Sequence, residues 1–341
     1  MLGVLCLMLA IAAFVWRMQE SGFRTEVFLQ TLSGSRVELI AASALAVLLS
    51  YLVRVARWKA MMRPICPQSR FRRLLAATVV GFTSVVFFGR PGEFVRPWLI
   101  ARSESVSVSS QMAIWVLERI LDLLMVLVLF GFALTRAELG PSAGPTLRMV
   151  LASGGAVALG LGVACVLVLV LSAFSANLAR KLVHKATGLL PADGLRERLR
   201  GMFDGFLDGM RATGSASLLT QLLLWTALEW AVILAAMHLA IQSYPPTAAF
   251  TVVDSMVFTG FVAFGSAVQL PGIGGGMQVA AILIGTELFG LPLESATALA
   301  LLIWALTWLV VVPIGVVVAF AEGWKWGAMR HVSVPEETTA S

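Results

Sequence analysis

Residues 53–73 read VRVARWKAMMRPICPQSRFRR, with seven basic side chains (Arg54, Arg57, Lys59, Arg63, Arg70, Arg72 and Arg73) and no acid. Apolar stretches flank it at about 37–53 and 74–88. A basic, acid-free segment between apolar stretches is held on the cytoplasmic side of a membrane. The rest of the topology follows from pinning this loop.

Composition makes lipid the solvent. Of 341 residues, 59% are hydrophobic and only 13% charged, where a soluble domain carries about 25% charged residues. The net charge of +6 then reads as loop charge that sets orientation, not as a nucleic-acid surface. Cys6, Cys66 and Cys165 are too scattered for a disulfide framework or a metal site. Further apolar stretches lie at about 2–16, 111–134, 149–174, 216–241, 248–269, 276–290 and 295–320. The first lacks the basic start and cleavage site of a signal peptide, so it reads as a retained helix. Segment 175–215 carries another seven bases, whereas 242–247 (QSYPPT) carries none. The reading places 54–73, 175–215 and the C-terminal tail in the cytoplasm, and 17–36, 135–148 and 242–247 outside. Nineteen of the 25 Lys and Arg then lie inside and five outside.

Parity does the rest. Helix 111–134 is the one crossing between the loop at 54–73 and the outer loop at 135–148, so 74–110 must leave and re-enter on one side. Its returning arm offers FVRPWLIA, eight residues with Arg96 and Pro97 inside, too short for the ~20 residues that a crossing needs. A re-entrant hairpin is predicted. The same argument makes 248–293 a hairpin from the opposite side; its first arm, 248–269, is long enough to span, and its second, 276–290, is short and holds Glu287. The expected fold is all-α integral membrane: about six full transmembrane helices plus two re-entrant hairpins in an inverted repeat. Residues 1–322 form one membrane domain, with repeats at about 37–134 and 216–322 and a linker at 175–215; 323–341 is a polar tail. In the linker, Leu195, Leu199, Met202, Phe203, Phe206, Leu207 and Met210 share one helical face. That pattern suits a helix on the leaflet surface or one packed on the bundle.

Both hairpins turn on glycine: FFGRPGEFVRP (87–97) and QLPGIGGGMQ (269–278). An offset of 183 brings Gly89 onto Gly272 and Gly92 onto Gly275. Paired Gly/Pro-interrupted segments in two halves point to a transporter's midplane site, because a broken helix exposes N–H groups that attract anions. The competing reading is close helix packing. Near the first break, Arg90 and Arg96 offer bidentate forks for a phosphate, with Glu93 to neutralise one of them when the site is empty. In the next helix Glu118 and Asp122 share a face, and Arg119 can pair with Asp122; intramembrane charges of this kind mark function or a neutralised structural cluster. Glu229, Asp254 and Glu287 read as lone acids, Glu229 being the deepest and the one suggestive of a proton or cation role. His184, His238 and His331 show no metal spacing, and there is no nucleotide loop and no nucleophile constellation. A transporter-like protein without metal or cofactor is expected, rather than an enzyme.

GRPGEFVRPWLIARSE (89–104), then WVLERILDLL (115–124), resembles the membrane-domain family of lysylphosphatidylglycerol synthases, the flippase-like family. QLPGIGGGMQVAAILI (269–284), then ALALLIWAL (298–306), is similar to its second signature. Phe88 replaces a usual Pro, Pro91 a small residue and Gln278 a frequent Glu. The resemblance implies movement of a phospholipid between leaflets. It implies substrate contacts at Gly89, Arg90, Gly92, Glu93, Arg96, Glu118, Arg119 and Asp122, and in the second break at Pro271, Gly272, Gly274, Gly275 and Gln278. Only a short polar tail follows the last helix, so synthesis of lysylphosphatidylglycerol is not expected. The expected function is an inner-membrane translocase of an anionic, phosphate-bearing lipid, with both termini cytoplasmic. The alternative is an integral-membrane enzyme, or its accessory subunit, that modifies a lipid or polyprenyl-linked sugar. Expected partners are a membrane phospholipid or other anionic lipid, a separately encoded lipid-modifying enzyme and a second copy of the chain.

Overall fold

The computed structural model describes residues 26, 34–136, 145–188, 197, 200–201, 216–266, 269–270 and 274–323. The apolar stretch 2–16, most of the surface-helix segment 194–212, Pro271, Gly272 and the tail beyond Gly323 lie outside the described residues.

The chain is a bundle of helices whose ends are written in the sequence. Helix α1 spans Val37–Met62 and ends where Pro64 and Pro67 cannot continue it. Helix α2 spans Phe71–Phe88 and closes on Gly89, whose φ of 66° suits glycine. A five-residue 3-10 turn, Arg90–Phe94, with Pro91 in its first turn, leads into α3, Val95–Glu104. Pro97 falls in the first turn of α3, where its missing N–H costs nothing. Helices α4 (Val108–Arg136), α5 (Pro145–Phe174), α6 (Ala176–Thr187) and α7 (Ala216–Ser243) follow. Helix α8, Val252–Gly265, starts on a capping box between Thr251 and Asp254. Two-residue strands β1 (Gln269–Leu270) and β2 (Gly274–Gly275) pair antiparallel across the second break. Helix α9 is Gly276–Leu283, extended by a π-turn to Leu288. Helix α10 (Leu293–Trp304) passes through a second π-turn, Ala305–Leu309, into α11 (Val312–Ala321).

Among the described residues, five helical stretches are long and apolar enough to cross a membrane: Val37–Met62, Phe71–Phe88, Leu151–Val168, Ser217–Ser243 and Leu293–Ala321. With its 29 residues, α4 reaches about 43 Å at 1.5 Å per residue, but Glu118, Arg119, Asp122 and Arg136 lower its apolar character. Two expectations change. The first arm of the second hairpin is not 248–269: a 3-10 turn at Pro245–Thr247 and the Thr251 cap postpone the helix to Val252. Its 14 residues rise about 21 Å, short of a ~30 Å hydrocarbon core. The basic run 53–73 is also not all loop, because α1 carries Arg54 and Arg57 into the bundle.

Antiparallel α1 and α7 form the spine, joined from the Arg36 N–H to the Ser243 carbonyl (2.8 Å), then Ser43 Oγ to the Ala236 carbonyl (2.8 Å), to Arg63 and Gln221 at the far end. Each hairpin has its own apolar core: Val55, Trp58, Met62, Leu74, Ile100 and Leu121 beneath the first, and Ile241, Phe258, Val262, Ala281, Leu299 and Ile303 beneath the second. The first arm of each hairpin also packs on the long helix that follows the other hairpin. Gly260 of α8 leaves room for the Phe130 ring of α4, and Gly315 of α11 for Thr83 of α2.

Glycine is required at Gly92, where a Cβ would lie 2.5 Å from the Ser84 carbonyl oxygen and 2.6 Å from the Val85 Cα. Gly92→Ala must force the hairpin apart and should cost about 1–3 kcal/mol. Nothing lies within 4 Å of a Cβ at Gly160, so Gly160→Ala should leave stability unchanged or raise it by up to ~1 kcal/mol. Thermal unfolding of the two variants in one detergent separates them.

Candidate functional site

Ser43, Ser50 and Arg57 recur at spacings of seven along α1, all buried. Arg57 is wholly enclosed, and every side of its guanidinium meets a partner. Nη1 is 2.7 Å from Asp122 Oδ1 and donates to Thr226 Oγ1 at 3.2 Å. Nη2 is 3.0 Å from Glu118 Oε1, and Nε is 3.1 Å from Glu229 Oε2. One side chain of α1 thereby ties α4 to α7. Arg54, one turn earlier, reaches Glu229 Oε1 at 2.7 Å.

Helix α3 adds Arg96, which lies over Trp58 (4.2 Å from guanidinium carbon to ring centroid) and near Phe82 (5.2 Å). Its fork meets both oxygens of Glu118, with Nη1 at 3.2 Å from Oε1. Arg119 bridges Glu118 Oε2 (3.1 Å) and Asp122 Oδ2 (3.2 Å). Trp230 Nε1 donates to Asp122 at 3.4 Å. Among the described residues, four guanidiniums thus surround three carboxylates, and the cluster carries one positive charge in excess. An uncompensated charge in a lipid-solvated bundle is costly, and an anionic ligand would remove that cost.

There is a place for one. A cavity of about 130 Å³ is lined by Gly81, Phe82, Val85, Trp115 and Trp308 together with Arg90, Glu93, Arg96, Arg119 and Ser266. Arg119 is 37% exposed and Arg90 44% exposed, and both side chains line this cavity. Arg90 pairs with Glu93 and donates to the Ser266 carbonyl at 2.9 Å. That bond brings the tip of the first hairpin onto the end of α8, the first arm of the second. A larger cavity of about 230 Å³ adjoins the first and shares Phe82, Ser266 and Trp308 with it. Its other walls are mainly apolar, among them Val47, Ile233, Met237, Val262, Met277 and Ile303.

Of the residues singled out in the sequence, Arg90, Glu93, Arg96 and Arg119 meet at one cavity, with Glu118 and Asp122 as counter-charges behind them. Gly89 and Gly92 shape the turn. In the second break Gln278 Oε1 accepts the Gly275 N–H at 2.8 Å, capping its own helix as an N3 residue does; Gly274 and Gly275 are not among the cavity walls. Glu229 is not a lone acid, since Arg54 and Arg57 hold it. Asp254 is a helix cap, and His238 Nδ1 meets Ser255 Oγ at 2.8 Å. In the sequence Arg54 and Arg57 read as loop charge; the signal for Arg57 is the heptad stripe of Ser43, Ser50 and Arg57, which an apolar average conceals.

Truncating Arg57 removes the one guanidinium that contacts Glu118, Asp122 and Glu229 together. Arg57→Ala should destabilise the protein by about 3–5 kcal/mol. Combined with Glu229→Gln it should cost less than the two single changes added together, and a double-mutant cycle on unfolding in detergent reads the coupling.

A comparison with curated proteins matches the glycosyltransferase AglD of Haloferax volcanii, 27% identical over 210 residues. The match takes in 55% of this chain but 34% of AglD, so the chain spans about a third of that relative's length. No solved structure matches. The family model described as the lysylphosphatidylglycerol synthase TM region covers residues 2–315, and the chain belongs to that family.

Proposed function

We propose that this membrane protein translocates a phosphate-bearing lipid, whose head group binds in the cavity between the two hairpin tips. The observation that carries the reading is the excess positive charge of the buried cluster beside that cavity. A phosphate diester has the single negative charge that neutralises it, and Arg119, a third exposed at the cavity wall, is the cluster guanidinium placed to meet its oxygens. The adjoining apolar cavity supplies a surface of the same character as the lipid's tail.

In this reading the first hairpin is re-entrant, because its returning arm α3 has ten residues, and the second is re-entrant because α8 has 14. Six crossings complete the domain, and the basic loop and both termini face the cytoplasm. The repeats are inverted and rock about the α1–α7 spine. The Arg90–Ser266 bond closes the tips together in the present state, and opening must break it. Glu118 can exchange partners as the ligand enters, because three arginines already share it.

The match to AglD favours a second reading. There the chain is the membrane part of, or partner to, a glycosyl-transferring protein, and the cavity holds a polyprenyl-linked phosphate for modification.

Arg119 separates ligand binding from folding better than Arg57 or Arg96, because it is a third exposed. In liposomes with leaflet-labelled phosphatidylglycerol, Arg119→Ala should slow transfer about 10–100-fold, the size of one lost charge-assisted bond, with thermal stability nearly unchanged. Arg119→Lys should keep part of the rate, having the charge without the fork. No transfer by wild type across a panel of phosphate-bearing lipids would overturn the first reading and leave the second.

A further inference from the structure

A third cavity, of about 400 Å³, is a groove on the flank of the bundle between α1, α2 and α11. Its walls are apolar: Leu48 and Leu52 from α1, Leu75 and Val79 from α2, Ile314 and Val318 from α11. At its mouth stand Arg72 and Glu322. Arg72 is exposed and makes no ion pair among the described residues. Arg70 lies on the same exposed turn, while Arg73 pairs with Glu104 at 3.9 Å, so Arg72 is the cation that stands at the mouth. From Glu322 to Val311 the groove runs about 16 Å along the helix axis.

The inner end of the groove is a partition. Tyr51 lines this groove and also the interior apolar cavity. It stands edge-on to Phe82, with ring centroids 5.3 Å apart. Phe82 in turn lines both interior cavities. Arg54 lies over both rings, at 5.9 Å from Tyr51 and 4.5 Å from Phe82, which links the partition to the buried charge cluster through Glu229. Two aromatic rings thus separate a lateral groove, an apolar chamber and a charged cavity.

We infer that the groove between α1, α2 and α11 is a docking site for a phospholipid, with its phosphate at Arg72, an acyl chain along the groove and the Tyr51–Phe82 pair as the partition to the interior. The mouth selects the occupant: an apolar groove alone fits any hydrocarbon, but one with Arg72 at its mouth, in no ion pair among the described residues, favours a chain that carries a phosphate. Snorkelling brings the long Arg72 side chain to head-group level while its stem stays against the groove. The inference rests on the lipid-handling reading above but concerns where a lipid docks, not whether it is moved.

The test uses the whole protein in vesicles of phosphatidylglycerol and phosphatidylcholine, with a photoactivatable phosphatidylglycerol whose diazirine is in the acyl chain. Adducts are mapped by mass spectrometry and normalised to those on Val157 and Leu161, lipid-exposed residues of α5. Wild type should concentrate adducts on Leu48, Leu52, Val79 and Ile314. Arg72→Ala should reduce that preference about fivefold, the effect of one basic side chain near an anionic lipid, and should not change the melting temperature. Ile314→Trp should abolish it by filling the groove. Tyr51→Ala should carry adducts inward to Met237 and Ile303. A groove-to-α5 ratio near one in wild type, or a preference that neither Arg72→Ala nor Ile314→Trp changes, overturns the inference. Because the adducts are read without transport, a vesicle that transfers lipid but shows no groove preference defeats only the docking site. A groove preference without transfer defeats only the translocase reading.

Discussion

Arg57 is the constraint on which the bundle depends. A guanidinium cannot shed its proton inside a protein, so once α1 brings it into a lipid-solvated interior its charge must be met in place. Asp122 and Glu118 meet it from α4, Glu229 and Thr226 from α7. Those four contacts fix the relative depth of three helices, a job that apolar packing alone does poorly where lipid is as apolar as the side chains. Trp58, the next residue, extends the arrangement by donating to Gln111 at 3.1 Å and carrying Arg96 on its ring. The first hairpin is therefore seated on the charge cluster, and the cavity at its tip inherits that geometry.

The two halves use the same architecture for different work. Each has a glycine break, a short returning arm and a long helix behind it, and each packs its first arm on the other half's long helix. Carrying the offset of 183 onward, Arg96 falls on Val279, Glu118 on Leu301, Arg119 on Leu302 and Asp122 on Ala305. All the cluster's charge thus sits against the first hairpin. The second half contributes a carbonyl, at Ser266, and an aromatic wall, at Trp308, which its π-turn places. Such π-turns recur at functional sites. An uneven division of this kind suits a ligand with a charged end and an apolar end.

Much of this was legible in the sequence because the constraints were strong. The glycine break and the short arm FVRPWLIA mark a turn within 74–110, and α2 and α3 meet at that turn. Arg90, Glu93, Arg96 and Arg119 stand out as charges in an apolar setting, and they share one cavity. What was not legible depended on pairing across helices. Arg57 reads as loop charge until Glu118, Asp122 and Glu229 are seen around it, and Glu229 reads as lone for the same reason. The late start of α8 was hidden because 248–251 is as apolar as the helix it precedes, and only the Thr251–Asp254 cap marks the boundary. Phe82 and Trp308 carry no sequence signal, since an aromatic residue in an apolar stretch looks the same on any face.

The central claim is that a phosphate completes the charge of the cluster at the hairpin tips. A structure determined with a short-chain phosphatidylglycerol bound tests it most directly. The account predicts the phosphate in the 130 Å³ cavity, within hydrogen-bond distance of Arg119 and of Arg90 or Arg96. A lipid whose phosphate occupies only the surface, with that cavity unchanged, would contradict it.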